Sequence, residues 1–280
     1  MTATVFDDRI CELGEGALWH PERRQFFWFD ILGRRLLSRD DTGPLEWRFD
    51  RMASAAGWID HERLMISTET GLAVLDLTSG ALSDLVAVEA DDANTRSNDG
   101  RADRQGGFWF STMGKSAQAG AGAIYRYYRG EVRQLFDDVT IPNAICFSAD
   151  GRTAHFADTH LGLVWRKRLD ADGWPEGRRE LYLDLSEWDA GPDGAVMDAD
   201  DGFCCALWGQ GAVQRFDAAG KQTHRFEVGG QHSSCPAFGE AGQMLVTTAL
   251  ENIDNPDAQQ GLTYLVSHDL RTLPEPRVIL

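Results

Sequence analysis

One type of segment recurs along the whole chain. A turn rich in Asp, Gly or Arg is followed at once by a short aromatic or β-branched run, as in QFFWFD at 25–30, GFWFST at 107–112 and FCCALW at 203–208. The turns of six copies are marked by Pro21, Asp60, Asp103, Asp150, Asp200 and Glu240, with steps of 39, 43, 47, 50 and 40 residues. A repeat of roughly 40–50 residues is typical of propeller blades. The spacing therefore predicts an all-β fold, a six-bladed β-propeller.

Further strands support this prediction. Runs such as 71–76 and 163–167 follow the aromatic segments and alternate apolar with polar residues, as half-buried antiparallel strands do. A β-sandwich also uses short strands and tight turns, but it does not require a repeat near 45 residues. Ring closure would pair the two ends of the chain, with 4–6 and 277–280 as candidate strands. Because no linker interrupts the pattern, we expect one domain over residues 1–280.

Charge and composition exclude several classes of protein. The formal net charge of −17 opposes binding to nucleic acid or to an anionic membrane surface. No apolar stretch approaches the roughly 18 residues of a membrane span, and the first residues lack the apolar run of a signal peptide. The five cysteines have no metal-site spacing and are expected to be reduced and buried. We expect a cytoplasmic protein, as a monomer or small homo-oligomer.

Acids and amides stand at matching places in four repeats. Glu15, Asn98, Asn143 and Asp193 each precede the turn marker of their repeat by five to seven residues. Equivalent positions of successive blades meet near the axis of a propeller, so these four side chains are predicted to converge. A set of isolated Asn-Gly and Asp-Gly turns is the alternative interpretation. Turn formation alone, however, would not place an acid or amide at this point in each of the four repeats.

The chemistry of the four side chains is coherent. Two carboxylates and two amide carbonyls are hard oxygen donors, which favour one divalent cation. Ca²⁺ is the preferred ion, with Mg²⁺ and Mn²⁺ also suited and Zn²⁺ possible. Common hydrolase motifs are absent, since the sequence contains neither G-x-S-x-G nor H-E-x-x-H. Polar residues at strand ends, namely His160, Trp208, Gln210 and His232, are further candidates for lining a pocket.

The motifs G-E-G at 14–16, R-x-N-D-G at 96–100, P-N-A at 142–144 and P-D-G at 192–194 occur in an order that resembles one known family. It is the senescence-marker-protein (regucalcin), gluconolactonase and luciferin-regenerating-enzyme family. The resemblance extends from Gly14 to Tyr264 and is most specific at 96–113. It implies that Glu15, Asn143 and Asp193 bind one divalent metal ion.

The same resemblance implies that Arg96 and Asn98 bind the substrate, a sugar lactone. Two positions depart from the family pattern: Ala17 stands where Pro is usual, and Ala144 stands where Gly is usual. The segment 114–118, expected to form a lid, also lacks the acidic residue that some relatives use to hold sugar hydroxyls. None of these departures removes a residue that the expected reaction needs. The missing acidic residue in the lid affects which sugar the site is expected to accept.

The expected reaction is metal-dependent hydrolysis of an aldonolactone to its aldonic acid. Asp193 is the candidate general base, Arg96 would stabilise developing negative charge, and Asn98 would orient the lactone. Asp99 would brace that loop from behind the site. Three alternatives remain open: an organophosphate or ester hydrolase of the same propeller type, a calcium-binding regulator without catalysis, and a protein-interaction scaffold.

Overall fold

The computed structural model describes residues 3–280, and within them 24 antiparallel strands form six four-stranded sheets. The first strand is β1 (Thr4–Asp7). Blade 1 follows with β2 (Gly14–His20), β3 (Gln25–Asp30), β4 (Arg35–Asp40) and β5 (Gly43–Arg48). Blade 2 contains β6 (Ala53–Asp60), β7 (Arg63–Thr68), β8 (Gly71–Asp76) and β9 (Leu82–Ala87). Blade 3 contains β10 (Thr95–Ala102), β11 (Phe108–Gly114), β12 (Gly122–Tyr128) and β13 (Glu131–Val139).

The second half of the ring repeats this order. Blade 4 contains β14 (Pro142–Phe147), β15 (Thr153–Asp158), β16 (Leu163–Arg168) and β17 (Glu180–Asp184). Blade 5 contains β18 (Gly191–Met197), β19 (Phe203–Trp208), β20 (Ala212–Phe216) and β21 (Gln222–Glu227). Blade 6 is built from β22 (His232–Phe238), β23 (Gln243–Ala249) and β24 (Thr263–Ser267), with β1 as its outer strand. The six blades confirm the predicted all-β propeller.

The core lies between the blades. Both faces of a blade pack against neighbouring blades, so the second strand of a blade is buried on both sides, as all six residues of β3 are. One apolar cluster joins blade 1 to blade 2 and includes Phe27, Phe29 and Ile66, and similar clusters occupy the other interfaces. The outer strand β5, in contrast, alternates half-buried with exposed residues. The aromatic repeat of the sequence therefore reflects burial between blades.

The ring is closed at the N-terminal side of the chain, where Thr4 pairs with Leu265 and Val5 with Tyr264. The closing strand predicted at 4–6 is therefore confirmed, whereas a closing strand at 277–280 is wrong. Residues 277–280 instead cross one end of the ring, where the Val278 amide donates to the Trp58 carbonyl at 2.8 Å. Two prolines at 274 and 276 cannot donate to a strand ladder, which disfavours pairing of this segment.

The two ends of the ring differ. We call the end where the first strand of each blade begins the upper end, and the opposite one the lower end. The C-terminal segment covers the lower end, where Arg101 and Glu275 form a buried ion pair at 3.1 Å. Within residues 3–280, no helix is long and apolar enough to cross a membrane. All five cysteines are buried and free of disulfide bonds, as predicted.

Candidate functional site

The first strands of the blades pack around the central axis, and each carries an irregularity near its upper end. The strand register shifts between Glu15 and Leu18, between Ser97 and Gly100, between Asn143 and Cys146, and between Pro192 and Ala195. Such bulges redirect side chains and release local backbone groups from the ladder. In four blades the predicted polar residue therefore stands at the bulge: Asn98 and Asp193 lie within it, and Glu15 and Asn143 come immediately before it.

The two carboxylates of this set lie next to each other and are almost fully buried. Glu15 is 8% exposed and Asp193 is 3% exposed. Burial, and then the negative charge of Asp99, raises the pKa of Glu15. Burial, and then the charge of Glu15, raises the pKa of Asp193. Oδ1 of Asp193 is buried without a hydrogen-bond partner within the described residues. A pair of crowded acids with an unsatisfied oxygen is a site that a cation would stabilise.

A short chain of hydrogen bonds links the two amides, Asn98 and Asn143, to each other and to neighbouring residues of the site. Nδ2 of Asn98 donates to Oδ1 of Asn143 at 3.0 Å and to the Pro142 carbonyl at 2.9 Å. Nη1 of Arg96 donates to Oδ1 of Asn98 at 2.8 Å. Nδ2 of Asn143 donates to Thr159 Oγ1 at 2.8 Å. The chain fixes the orientation of both amides, so that Oδ1 of Asn143 keeps a lone pair for another partner.

Asp99 connects blade 3 to blade 4 directly behind these amides. Its Oδ2 accepts from the Ile145 amide at 2.7 Å, and its Oδ1 accepts from the Gly100 amide at 2.8 Å. Burial raises its pKa. Since Ile145 stands two residues after Asn143, the carboxylate of Asp99 holds the bulge that presents the Asn143 side chain.

The residues that follow Glu15 and Asn143 share an unusual backbone conformation. Gly16 and Ala144 both have φ of 56°, in the left-handed region that glycine tolerates best. A Cβ on Gly16 would lie 2.0 Å from the Ser54 carbonyl oxygen, so glycine is required there. Ala144 adopts the same angle with its methyl group buried in the cluster between blades 4 and 5. The departure from the family pattern at 144 therefore leaves the bulge intact.

Sequence reasoning missed the contributions of blades 2 and 6. Ser54 and Ser234 occupy the equivalent positions of these blades, and each donates its hydroxyl to a neighbouring first strand, at the carbonyls of Asn98 and Gly14. Both stand six residues before their turn markers, so the spacing that revealed the acids could have revealed them. Small hydroxyl side chains at two of the six positions leave room at the axis.

The loops between second and third strands form the rim of the upper end. Among the pocket candidates, His160 and Trp208 line a cavity beside blades 4 and 5. The ring of His232 stacks on that of Trp208 with centroids 4.2 Å apart. Gln210 instead donates to the Asp189 carbonyl on the surface and does not line the cavity. No repeated motif marks the rim residues Thr159 and Glu251, so they could not be identified from the sequence.

The donor set at the axis fits a hard divalent cation. Glu15 and Asp193 offer carboxylate oxygens, and Asn143 offers an amide oxygen, all of them types that Ca²⁺ and Mg²⁺ accept. Within residues 3–280 no group of three or more His, Cys, Asp or Glu side chains could hold an ion by themselves. A site with an amide as third donor agrees with this finding. The unpartnered Oδ1 of Asp193 is the atom whose burial such an ion would explain.

Comparisons with known proteins identify the family of the chain. The model of the SMP-30/Gluconolactonase/LRE-like region matches residues 13–250. A Rhizobium meliloti protein with the provisional name sugar lactone lactonase is 37% identical, over 97% of this chain and 95% of its own. L-arabinolactonase of Azospirillum brasilense is 33% identical, over 88% and 84% of the two chains.

Among solved structures, a calcium-binding protein of Agrobacterium tumefaciens named regucalcin superposes with a TM-score of 0.96 at 37% identity, and covers 99% of this chain and 97% of its own. The family match and these similarities span the blades that carry all four predicted site residues. The chain therefore belongs to the SMP-30/gluconolactonase/LRE-like family.

Proposed function

We propose that this protein hydrolyses a sugar lactone to the corresponding aldonic acid and requires one divalent cation. Three observations support the proposal: the carboxylates of Glu15 and Asp193 are buried side by side, Oδ1 of Asp193 has no hydrogen-bond partner within residues 3–280, and Asn143 stands at the equivalent position of blade 4. The similarity to proteins named as lactonases supports the substrate class. Ca²⁺ is the cation that the oxygen donors favour most.

The metal would be held by Glu15, Asn143 and Asp193. When bound, it would supply Lewis acidity, which polarises a lactone carbonyl and makes a water molecule easier to deprotonate. Asp193 would accept a proton from the attacking water at Oδ2, the oxygen that is not assigned to the cation, and return it to the ring oxygen when the ester C–O bond breaks. The water oxygen becomes part of the new carboxyl group, so atoms and protons balance.

Arg96 and Asn98 would bind the substrate. The guanidinium of Arg96 is held at Nη1 by Asn98 and by the Ser97 carbonyl, both at 2.8 Å, and its remaining N–H groups are free to donate to an oxygen on which negative charge develops. Both hydrogens of Asn98 Nδ2 are already donated. Asn98 would therefore act through the second lone pair of Oδ1 and through the position it gives to Arg96.

The test is an assay of chelator-treated protein against five- and six-membered aldonolactones, with Ca²⁺, Mg²⁺, Mn²⁺ or Zn²⁺ added back. We expect turnover above the spontaneous rate only with an added cation. Asp193→Ala should fold, as judged by circular dichroism, and should lose turnover by about 10²–10⁴-fold, which is the usual contribution of a general base. Wild-type rates in chelated Asp193→Ala protein would refute the proposed site. A strong preference for organophosphates would refute the proposed substrate.

A calcium-binding role without catalysis is the second candidate, and the similarity to the regucalcin structure favours it. It predicts calorimetric binding of Ca²⁺ that Asp193→Ala weakens, with no turnover of any aldonolactone. Binding of no cation at all would favour a scaffold role instead.

We further infer a cytoplasmic monomer or small homo-oligomer that binds neither nucleic acid nor membranes. The net charge of −17 and the five free, buried thiols support this inference. Cell fractionation and light scattering of the purified protein would test it.

A further inference from the structure

The rim of the upper end carries a carboxylate that the proposed mechanism does not use. Glu251 lies in the loop between β23 and β24, just after Ala249, which bridges Leu13. Its amide donates to the Glu12 carbonyl at 2.9 Å. Its own carbonyl is joined to the His232 ring at 3.0 Å. The backbone of Glu251 is thus fixed to blades 1 and 6, close to the first strands that carry the site.

The side chain of Glu251 is half-buried, yet its oxygens accept no hydrogen bond from any residue of the described chain. Among charged groups, Arg96 of blade 3 has the largest effect on the pKa of Glu251. Burial raises the pKa of Glu251, and the positive charge of Arg96 opposes this change. Burial lowers the pKa of Arg96, and among the carboxylates opposing that change Glu251 has the largest effect. The charges of the two groups affect each other, but no ion pair or hydrogen bond joins their side chains within residues 3–280.

The expected lid differs in this respect. In the expected lid, residues 114–118, the charged side chain is Lys115, and its Nζ is paired with Oε2 of Glu69 at 2.7 Å. Oε1 of Glu69 accepts from the Met52 amide at 3.0 Å, so that this carboxylate is engaged at both oxygens. The lid therefore brings no free carboxylate to the rim, whereas neither carboxylate oxygen of Glu251 has a hydrogen-bond partner within residues 3–280.

An aromatic pair contacts the backbone of the same residue. The His232 ring that contacts the Glu251 carbonyl also stacks on Trp208, with an interplanar angle of 17°. Sugar rings present hydroxyl groups at their edge and C–H groups on their faces. A carboxylate without a hydrogen-bond partner, in a loop whose backbone contacts an aromatic pair, offers groups for both kinds of surface.

From these contacts we propose that Glu251 binds the hydroxyl groups of the substrate and thereby selects hydroxylated lactones over unsubstituted ones. Its carboxylate accepts hydrogen bonds from hydroxyls on the side of the ring remote from the ester, while Arg96 donates to the ester side. This inference rests on the proposed lactonase function and assigns its substrate specificity to blade 6.

The test compares an aldonolactone with γ-valerolactone, which has the ester ring and no hydroxyls, in wild-type protein and in Glu251→Ala and Glu251→Gln. We expect KM for the aldonolactone to rise about tenfold or more in Glu251→Ala and less in Glu251→Gln, which retains one acceptor, with kcat changed less than threefold. The kinetics of γ-valerolactone should not change. Glu62→Gln, which removes an exposed charge at the lower end, is the matched control.

A second measurement separates failure of this inference from failure of the proposed reaction. Gluconolactam has the hydroxylated ring but a stable amide, and its affinity can be measured by calorimetry without turnover. Weaker lactam binding in Glu251→Ala supports the role of Glu251 even if the wild type hydrolyses no lactone. Normal aldonolactone turnover with unchanged KM in Glu251→Ala overturns the inference alone. An equal loss with γ-valerolactone also overturns it, since Glu251 would then act by positioning Arg96. Absence of both turnover and lactam binding in the wild type overturns both proposals.

Discussion

Two buried carboxyl groups, those of Glu15 and Asp193, lie side by side at the axis, an arrangement that destabilises the fold unless a cation is present. Replacing Asp193 by Asn removes an acid whose charged form is disfavoured by burial. The new amide can also donate a hydrogen bond to Glu15. We therefore expect Asp193→Asn to raise the unfolding free energy of chelated protein by about 2 kcal/mol. In the wild type, Ca²⁺ at 100 times its Kd should add about 2.7 kcal/mol, and in the variant much less.

Urea unfolding with chelator and with Ca²⁺ measures both effects. Asp41→Asn removes an exposed acid and serves as the control, with no change expected in either condition. If Asp193→Asn destabilised the chelated protein and kept the full gain from Ca²⁺, the ion would not be held by Asp193.

Among individual residues, those whose position follows the repeat could be predicted from the sequence. Glu15, Asn143 and Asp193 could be found because each precedes an aromatic strand by a similar interval, and the blades bring such positions together. Thr159 and Glu251 could not be found in this way. Their place at the rim depends on loop conformation and on contacts with other blades, neither of which can be predicted from a single sequence.

At the scale of elements, ring closure depends on Asp7 at the end of β1. Arg9 donates to both oxygens of Asp7, at 2.8 and 2.9 Å, and also donates to the carbonyls of Ser38 and Leu45 in blade 1. One side chain thus ties the outer strand of blade 6 to its neighbour. Burial acts to raise the pKa of Asp7, but the hydrogen bonds and charge of Arg9 outweigh it, so that the pKa lies below its usual value.

We expect Asp7→Asn to lower the unfolding free energy at pH 7 by about 2 kcal/mol, since Arg9 would lose its partner. Because the folded pKa is depressed, this contribution is fully present above the unfolded pKa of about 3.9 and is lost as the pH falls through the folded pKa. The difference between wild type and variant should therefore shrink below about pH 4. Denaturation curves between pH 3 and 7 measure it, with the exposed Asp8→Asn as control. A difference that stays constant with pH would contradict the ionic tie.

Most strands could be predicted from the sequence. The C-terminal run at 277–280 is the exception, and it has a clear cause. Aromatic runs such as 25–30 mark strands because they must be buried on both faces. The run Val-Ile-Leu at 278–280 has a similar composition, but its contacts are with the lower end of the ring, where Ile279 donates its amide to the Gly106 carbonyl at 2.8 Å. Composition indicates that such a run is buried and does not indicate whether a strand ladder or a loop buries it.

At the scale of the whole molecule, the C-terminal segment links blades that are distant in sequence. The Arg271 carbonyl accepts from the Ala199 amide of blade 5, Glu275 pairs with Arg101 of blade 3, and Val278 contacts Trp58 of blade 2. Since β1 also closes blade 6, a blade cannot easily unfold alone. We therefore propose that residues 1–280 unfold as one domain.

This proposal predicts one unfolding transition, with the same midpoint by far-UV circular dichroism and by the fluorescence of the nine tryptophans. Glu275→Gln leaves the buried guanidinium of Arg101 without its ion-pair partner, which should lower the unfolding free energy by about 3 kcal/mol. The unfolding midpoints measured by both probes should shift by the same amount, because the ion pair is part of a ring that unfolds as a whole. The exposed Glu187→Gln should shift neither. Two separate transitions, or a Glu275→Gln effect on one probe alone, would show that the blades unfold in independent groups.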